Sequence, residues 1–182
     1  AGIAQRVSES SVIAISIQSM NYGDIPITTV ENPEGNIGFF SPRTNVFNIG
    51  YARTFSSSIY GGINFKVISE NISNLKATGI AIDAGIRYVT GEQEQIKFGI
   101  TLKNVGPVMK YKGDGLAQQA AYVTTGFIAS LEERSSAFEM PSLLSIGGSY
   151  DFIFNESNKL NLGLGFTANS FSNDQYRIGL DY

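Results

Sequence analysis

Ile80-Ala81-Ile82-Asp83-Ala84-Gly85-Ile86-Arg87-Tyr88 and, beyond a Gly91-Glu92-Gln93-Glu94 turn, Ile96-Lys97-Phe98-Gly99-Ile100-Thr101-Leu102-Lys103 decide the fold. Every second residue is apolar, a period of two that belongs to a strand with two unlike faces rather than to a helix. Two such runs joined by a Gly-containing turn read as an antiparallel hairpin. Working outward, the pattern repeats. Phe47, Ile49, Tyr51 and Phe55 alternate with smaller or polar residues, as do Ile59, Ile63, Phe65 and Val67 after the Ser56-Ser57-Ser58 turn. Leu144, Ile146, Tyr150, Phe152 and Phe154 pair with Leu160, Leu162, Leu164 and Phe166 across Asn155 to Asn158. Tyr176, Ile178, Leu180 and Tyr182 make a last strand, and Val12 to Met20 a first one.

Connections on one side of this meander are short. On the other side they are long: Asn21 to Asn45, Ser69 to Thr78 and Val105 to Met140. The brief Ser172-Asn173-Asp174 turn departs from that rule. Short turns at one end and long loops at the other are the asymmetry of transmembrane barrels. In the longest loop, Ala121 to Leu131 has the content of an extra strand, and a helical turn near Gln118 to Ala121 is an alternative.

The two faces differ in kind. One repeatedly carries Gly (Gly50, Gly62, Gly85, Gly99, Gly147, Gly165) with Ser, Thr, Asn and a few charges of both signs. Gly weakens a strand unless that face is crowded, as it is in a lumen. The other face is aliphatic, with Phe55, Tyr88, Phe98, Phe152 and Phe154 toward the short-turn ends and Phe47, Phe65, Phe166 and Tyr176 toward the far ends. Two aromatic girdles around an aliphatic band are expected of a barrel in lipid. A soluble sandwich or lipocalin-like barrel would alternate too, but with a wetter, more charged outer face. The expected architecture is therefore all-β: an antiparallel meander of the transmembrane-barrel type, one domain over residues 1 to 182, a partial barrel of about 8 to 10 strands.

Composition narrows the function. Charged residues are 16% of the chain, against roughly 25% in an average soluble domain. A net charge of -3 gives no basic surface for a phosphate backbone, so nucleic acid is not an expected partner. The absence of His and Cys removes the usual general bases, thiol nucleophiles and zinc ligands, so no enzyme activity and no cofactor is expected. No run approaches the roughly 18 to 20 apolar residues of a membrane helix, and the N-terminus has no signal-peptide pattern.

Three groups of segments carry a family likeness. They are Asn21-Tyr22-Gly23-Asp24-Ile25-Pro26-Ile27-Thr28-Thr29 with Glu31-Asn32-Pro33-Glu34-Gly35, then Asn104-Val105-Gly106-Pro107 leading to Gly113-Asp114-Gly115-Leu116, then Phe138-Glu139-Met140-Pro141-Ser142 followed by Ile146 to Phe152. In order and spacing the chain resembles the PorV/PorQ family of outer-membrane proteins, which belongs to the FadL-like fold group. The resemblance implies a non-catalytic component of type IX secretion in the bacterial outer membrane. Its partners would be secreted protein substrates, other secretion-system proteins and the lipid bilayer. It also implies a barrel of roughly fourteen strands, so a fragment or an open barrel wall is expected. The alternative within the fold group is a channel for hydrophobic small molecules.

Four charges on the polar face of the central hairpin are the candidate lumenal cluster: Asp83, Arg87, Lys97 and Lys103. With Gly91 to Gln95 as the turn, Asp83 faces Lys103 and Arg87 faces Gly99, so opposite charges meet across the strands. Such a cluster either steers solutes or holds register by pairing. Lys66, Asp151, Arg177 and Asp181 invite the same reading. Asp114 lacks companion carboxylates at calcium-loop spacing and reads as a Gly-Asp-Gly turn. Glu132-Glu133-Arg134 reads as a solvated loop segment. The loop from Val105 to Met140 exceeds what a barrel connection needs and is the expected recognition element. Within it Phe138 and Met140 are expected either beside a partner-binding surface or as a lid over the barrel mouth.

Overall fold

A computed structural model describes residues 1–121, 128–155 and 158–182, with side chains outside the stretch 118–132. The chain is all-β. Its strands are β1 (Gly2–Ser8), β2 (Ser11–Asn21), β3 (Ile25–Pro26), β4 (Phe39–Phe40), β5 (Arg43–Thr54), β6 (Ile59–Ile72), β7 (Leu75–Thr90), β8 (Ile96–Val105), β9 (Tyr111–Lys112), β10 (Ala117–Ala121), β11 (Ile128–Glu132), β12 (Leu143–Asn155), β13 (Asn158–Asn169) and β14 (Gln175–Asp181). Nine of them form one antiparallel meander, in the order β1-β2-β5-β6-β7-β8-β12-β13-β14, and β9 joins it against β7. The β3–β4 and β10–β11 hairpins stand apart as two-stranded sheets.

Period-two patterning fixes which residues share a face, because paired residues point the same way. Ile15, Ile49, Phe65 and Ile82 face one another along one row, and Ile86, Ile100, Ile146 and Phe166 along another. The opposite face carries Ser16, Asn48, Lys66 and Ala81 in one row and Gly85, Thr101 and Ser145 in another. The apolar face is open. Ile86 is 61% exposed, Leu164 57% and Ile178 78%, while the fully buried apolar residues lie elsewhere. Tyr88 and Phe98 pair directly on this face, Tyr150 meets Phe152 edge-on at 4.7 Å, and Phe55 lies over Gly61. All five short-turn aromatics, Phe154 included, are exposed.

Several expectations need correction. The sheet begins one strand earlier than the Val12 to Met20 run, because β1 pairs with β2. Ser69 to Thr78 is no loop: β6 and β7 continue through it in register, Ile72 opposite Leu75, and turn at Ser73-Asn74. Ser73, at φ 50°, adopts the left-handed conformation that so tight a turn requires. Gln118 to Ala121 is strand, not helix, and the helical turn is a 3-10 turn at Asp114–Leu116. The segment Ala121 to Leu131, left open between strand and helical turn by its sequence, contributes Ile128 to Leu131 to β11, and residues 122–127 lie outside the described residues. The sheet is not closed: β1 and β14 are its edges and do not pair with each other.

Candidate functional site

The glycine-rich face is hollow. A cavity of about 690 Å³ is bordered by Arg6 of β1 and by Gly147–Ser149 of β12, with five strands between them in the sheet. A cavity reaching across that many strands requires the sheet to curl toward this side. A second hollow of about 270 Å³ shares Val12, Gly62, Gly85 and Thr101 with the first and extends to Asp83 and Lys103. The face has three zones along the strands: a cationic trough at the short-turn end, a polar belt at mid-height and a covered apolar patch at the loop end.

In the belt, side chains from five strands form one hydrogen-bonded line. Asn48 donates to Ser16, Asn64 donates to Asn48 and to Asp83, and Lys66 sits 2.6 Å from Asp83 and donates to Asn104 at 2.8 Å. The Asn104 backbone N–H donates to Asp83 at 2.8 Å, and its side-chain amide donates to the Pro141 carbonyl. This corrects the expected pairing: Asp83 is partnered by Lys66, not by Lys103. The cause is a register shift between Ile82 and Ala84, where Lys103 and Asn104 together oppose Asp83. Asn104 takes φ 59° there, the left-handed turn of a bulge that Asn tolerates. The extra residue aims Asn104's amide at Asp83 and leaves Lys103 exposed beside the second hollow, without an ion pair among the described residues. Arg87 does face Gly99, but its side chain too has no ion pair or hydrogen bond among the described residues.

A second charge cluster lies lower on the same face. Asp151, 5% exposed, is 2.6 Å from Lys97 and 3.3 Å from Lys159, and accepts from the Asn161 amide. The four residues of the cluster come from three adjacent strands, so it locks β8, β12 and β13 together. Among the described residues no buried side-chain nitrogen or oxygen lacks a partner. Asp151 and Lys66 were legible as polar-face charges, whereas Asn104 was missed, because its role depends on a bulge that alternation does not encode.

At the loop end a strap covers the hollow face. At Gly106 and Pro107 the chain leaves β8, runs along β7 and pairs again as β9, Tyr111 opposite Ala77. Met109, 1% exposed, lies over Gly79: a Cβ there would come within 2.6 Å of its sulfur. The return segment exchanges backbone hydrogen bonds with it, Met109 to Phe138 at 2.7 Å and Phe138 to Met109 at 2.9 Å. Phe138 stacks on Tyr111 at 5.3 Å, and Met140 packs at Gly106, where a Cβ would meet its methyl at 2.8 Å. Tyr111 donates a 2.7 Å hydrogen bond to Glu70. Burial, together with the Glu70 hydrogen bond and charge, pushes the Tyr111 hydroxyl up to about 12. Phe138 and Met140 thus lie half-buried in a strap across the hollow face rather than on an open surface.

Apart from Val108 of the strap, 50% exposed, the open apolar side chains of the long connections lie elsewhere among the described residues. Val30 (99% exposed), Phe39 (68%), Tyr22, Ile37 and Ile25 belong to the first long connection, organised by the β3–β4 hairpin. The signal was present as Ile25-Pro26-Ile27 and Ile37-Gly38-Phe39-Phe40, two short apolar runs separated by turn residues. No protein-family model matches the chain, and no curated protein sequence matches it.

Proposed function

We propose that this sheet is a wall of an outer-membrane β-barrel, and that the protein is a non-catalytic component of type IX secretion that binds or shuttles secreted proteins. The observation that carries the membrane part is the contrast of faces. An open aliphatic and aromatic surface runs across nine strands, while the charges with their partners gather on the hollow side. An exposed apolar surface of that extent is incompatible with bulk water and suited to lipid. The secretion part draws on the resemblance to the PorV/PorQ family and on the loops. Val30, Ile37 and Phe39 offer apolar contacts beyond the sheet, while Met109 and its strap cover the hollow face at the loop end. The competing reading, a channel for hydrophobic solutes, calls for a continuous apolar groove; this hollow, though apolar over most of its lining, is interrupted at the short-turn end by Arg6, Arg87 and Lys97.

The test is co-purification from detergent-extracted outer membranes with identification of bound proteins by mass spectrometry. The protein should fractionate with the outer membrane and retain secreted proteins, and Val30→Asp with Phe39→Asp should reduce that retention. Recovery in the soluble fraction would reject the barrel. Unchanged retention by both variants would move the recognition surface away from the first loop.

A further inference from the structure

We propose that the trough at the short-turn end of the hollow face is a binding site for small anions carrying carboxylate or phosphoryl groups. Three cationic side chains border it on this face, Arg6, Arg87 and Lys97, against one carboxylate, Glu9. The remaining charges of the hollow face are largely consumed by one another. Lys66 is matched by Asp83, and Asp151 serves two ammonium groups, Lys97 and Lys159, leaving that cluster one positive charge in excess. Arg6 and Arg87 have no ion pair or side-chain hydrogen bond among the described residues, so positive charge without an internal partner is concentrated here.

The shape fits the chemistry. The floor between the arginines is Val12, Ala52, Gly62, Gly85 and Gly99, which leaves the cavity of about 690 Å³ free of bulky side chains. That volume lies within the range of roughly 300–1,000 Å³ typical of small-molecule sites. Arg6 stands on β1 and Arg87 on β7, with three strands between them, so the two guanidinium groups approach a ligand from different sides. A guanidinium presents a planar fork of donors that matches a carboxylate or a phosphoryl group two-to-two, and a ligand with two such groups can engage both. The site goes beyond the secretion reading and stands on the hollow face alone.

Calorimetric titration of the detergent-purified chain with citrate and with pyrophosphate tests this, glucose serving as the uncharged probe and circular dichroism confirming the fold of every variant. At least one anion should bind saturably, the two arms distinguishing carboxylate from phosphoryl preference, while glucose should not. Arg6→Gln and Arg87→Gln should each weaken binding by about tenfold, Arg87→Lys by less because the charge survives, and the distant Lys112→Gln not at all. Failure of both anions to bind saturably, or wild-type affinity in the Arg6→Gln, Arg87→Gln double variant, would overturn the site. Membrane fractionation of the same chain reads out the barrel proposal separately.

Discussion

The two faces of one sheet are built from the same strands, yet they obey opposite rules. On the apolar face neighbouring residues are interchangeable in chemistry: Ile49, Ile63, Ile82 and Ile100 differ only in position, and no specific partner is required of any of them. On the hollow face two carboxylates depend on particular neighbours, Asp83 on Lys66 and Asn104, and Asp151 on Lys97. The difference teaches that the solvent of the first face sets its composition, whereas geometry sets the second.

The sharpest way to break that comparison is to exchange chemistry between adjacent residues of β8. Ile100→Lys should destabilise the protein in bilayers by about 2–4 kcal/mol, while Thr101→Lys, one residue away on the hollow side, should cost under about 1 kcal/mol. Denaturant titration of both variants in the same lipid checks it; equal costs would mean that the two faces meet the same medium. Next in size is the strap. Met109→Ala removes the side chain seated over Gly79 and should cost about 2 kcal/mol, near the lower end for buried Met→Ala because the strap can partly settle. The loss should appear as faster hydrogen exchange at Tyr111 and Phe138, with β2 and β5 unchanged.

The polar belt sharpens the comparison further. Asp83→Asn keeps the shape but removes the charge facing Lys66, and should cost about 1.5 kcal/mol, the lower end for a hydrogen bond to a charged group. Lys103→Gln should be within about 0.5 kcal/mol of wild type, as for a surface position with no partner. The reverse ranking by thermal unfolding would restore Lys103 as the partner of Asp83. The smallest effect is in the pH dependence of the strap. Tyr111 is held protonated in the fold beyond its usual 10.0, up to about 12. Its contribution is fully present below about pH 10 and is lost as pH rises toward 12, because the unfolded chain then ionises first. Protection of Met109 and Phe138 from hydrogen exchange, taken relative to the intrinsic base-catalysed rate, should fall over that window in the wild type and stay level in Tyr111→Phe.

Much of the sheet was legible before any coordinates, because alternation is a local property and each hairpin contains its own turn. The Ile80 to Lys103 hairpin, the open aromatic positions and the glycine-rich face all follow from a period of two. Misreadings cluster where a non-local or conformational choice intervened. Ser69 to Thr78 lacks strong alternation, yet pairing through to Ile72 and Leu75 made it strand, since each backbone hydrogen bond extends a ladder already nucleated below it.

Sequence by itself determined the alternating strands from β2 to β14 of the main sheet, which of their residues share a face and the lack of His and Cys, all of which depend only on residue type and spacing. Tertiary structure alone decided that Asp83 belongs to Lys66, that Arg6 and Arg87 border one hollow, and that Met109 covers Gly79. Those contacts join residues 17, 81 and 30 positions apart, and they turn on a single extra residue at Lys103-Asn104 and on the curl of the sheet. A one-residue shift redirects every side chain beyond it, and curvature brings distant strands together, so neither can be read from a pattern that repeats every two residues.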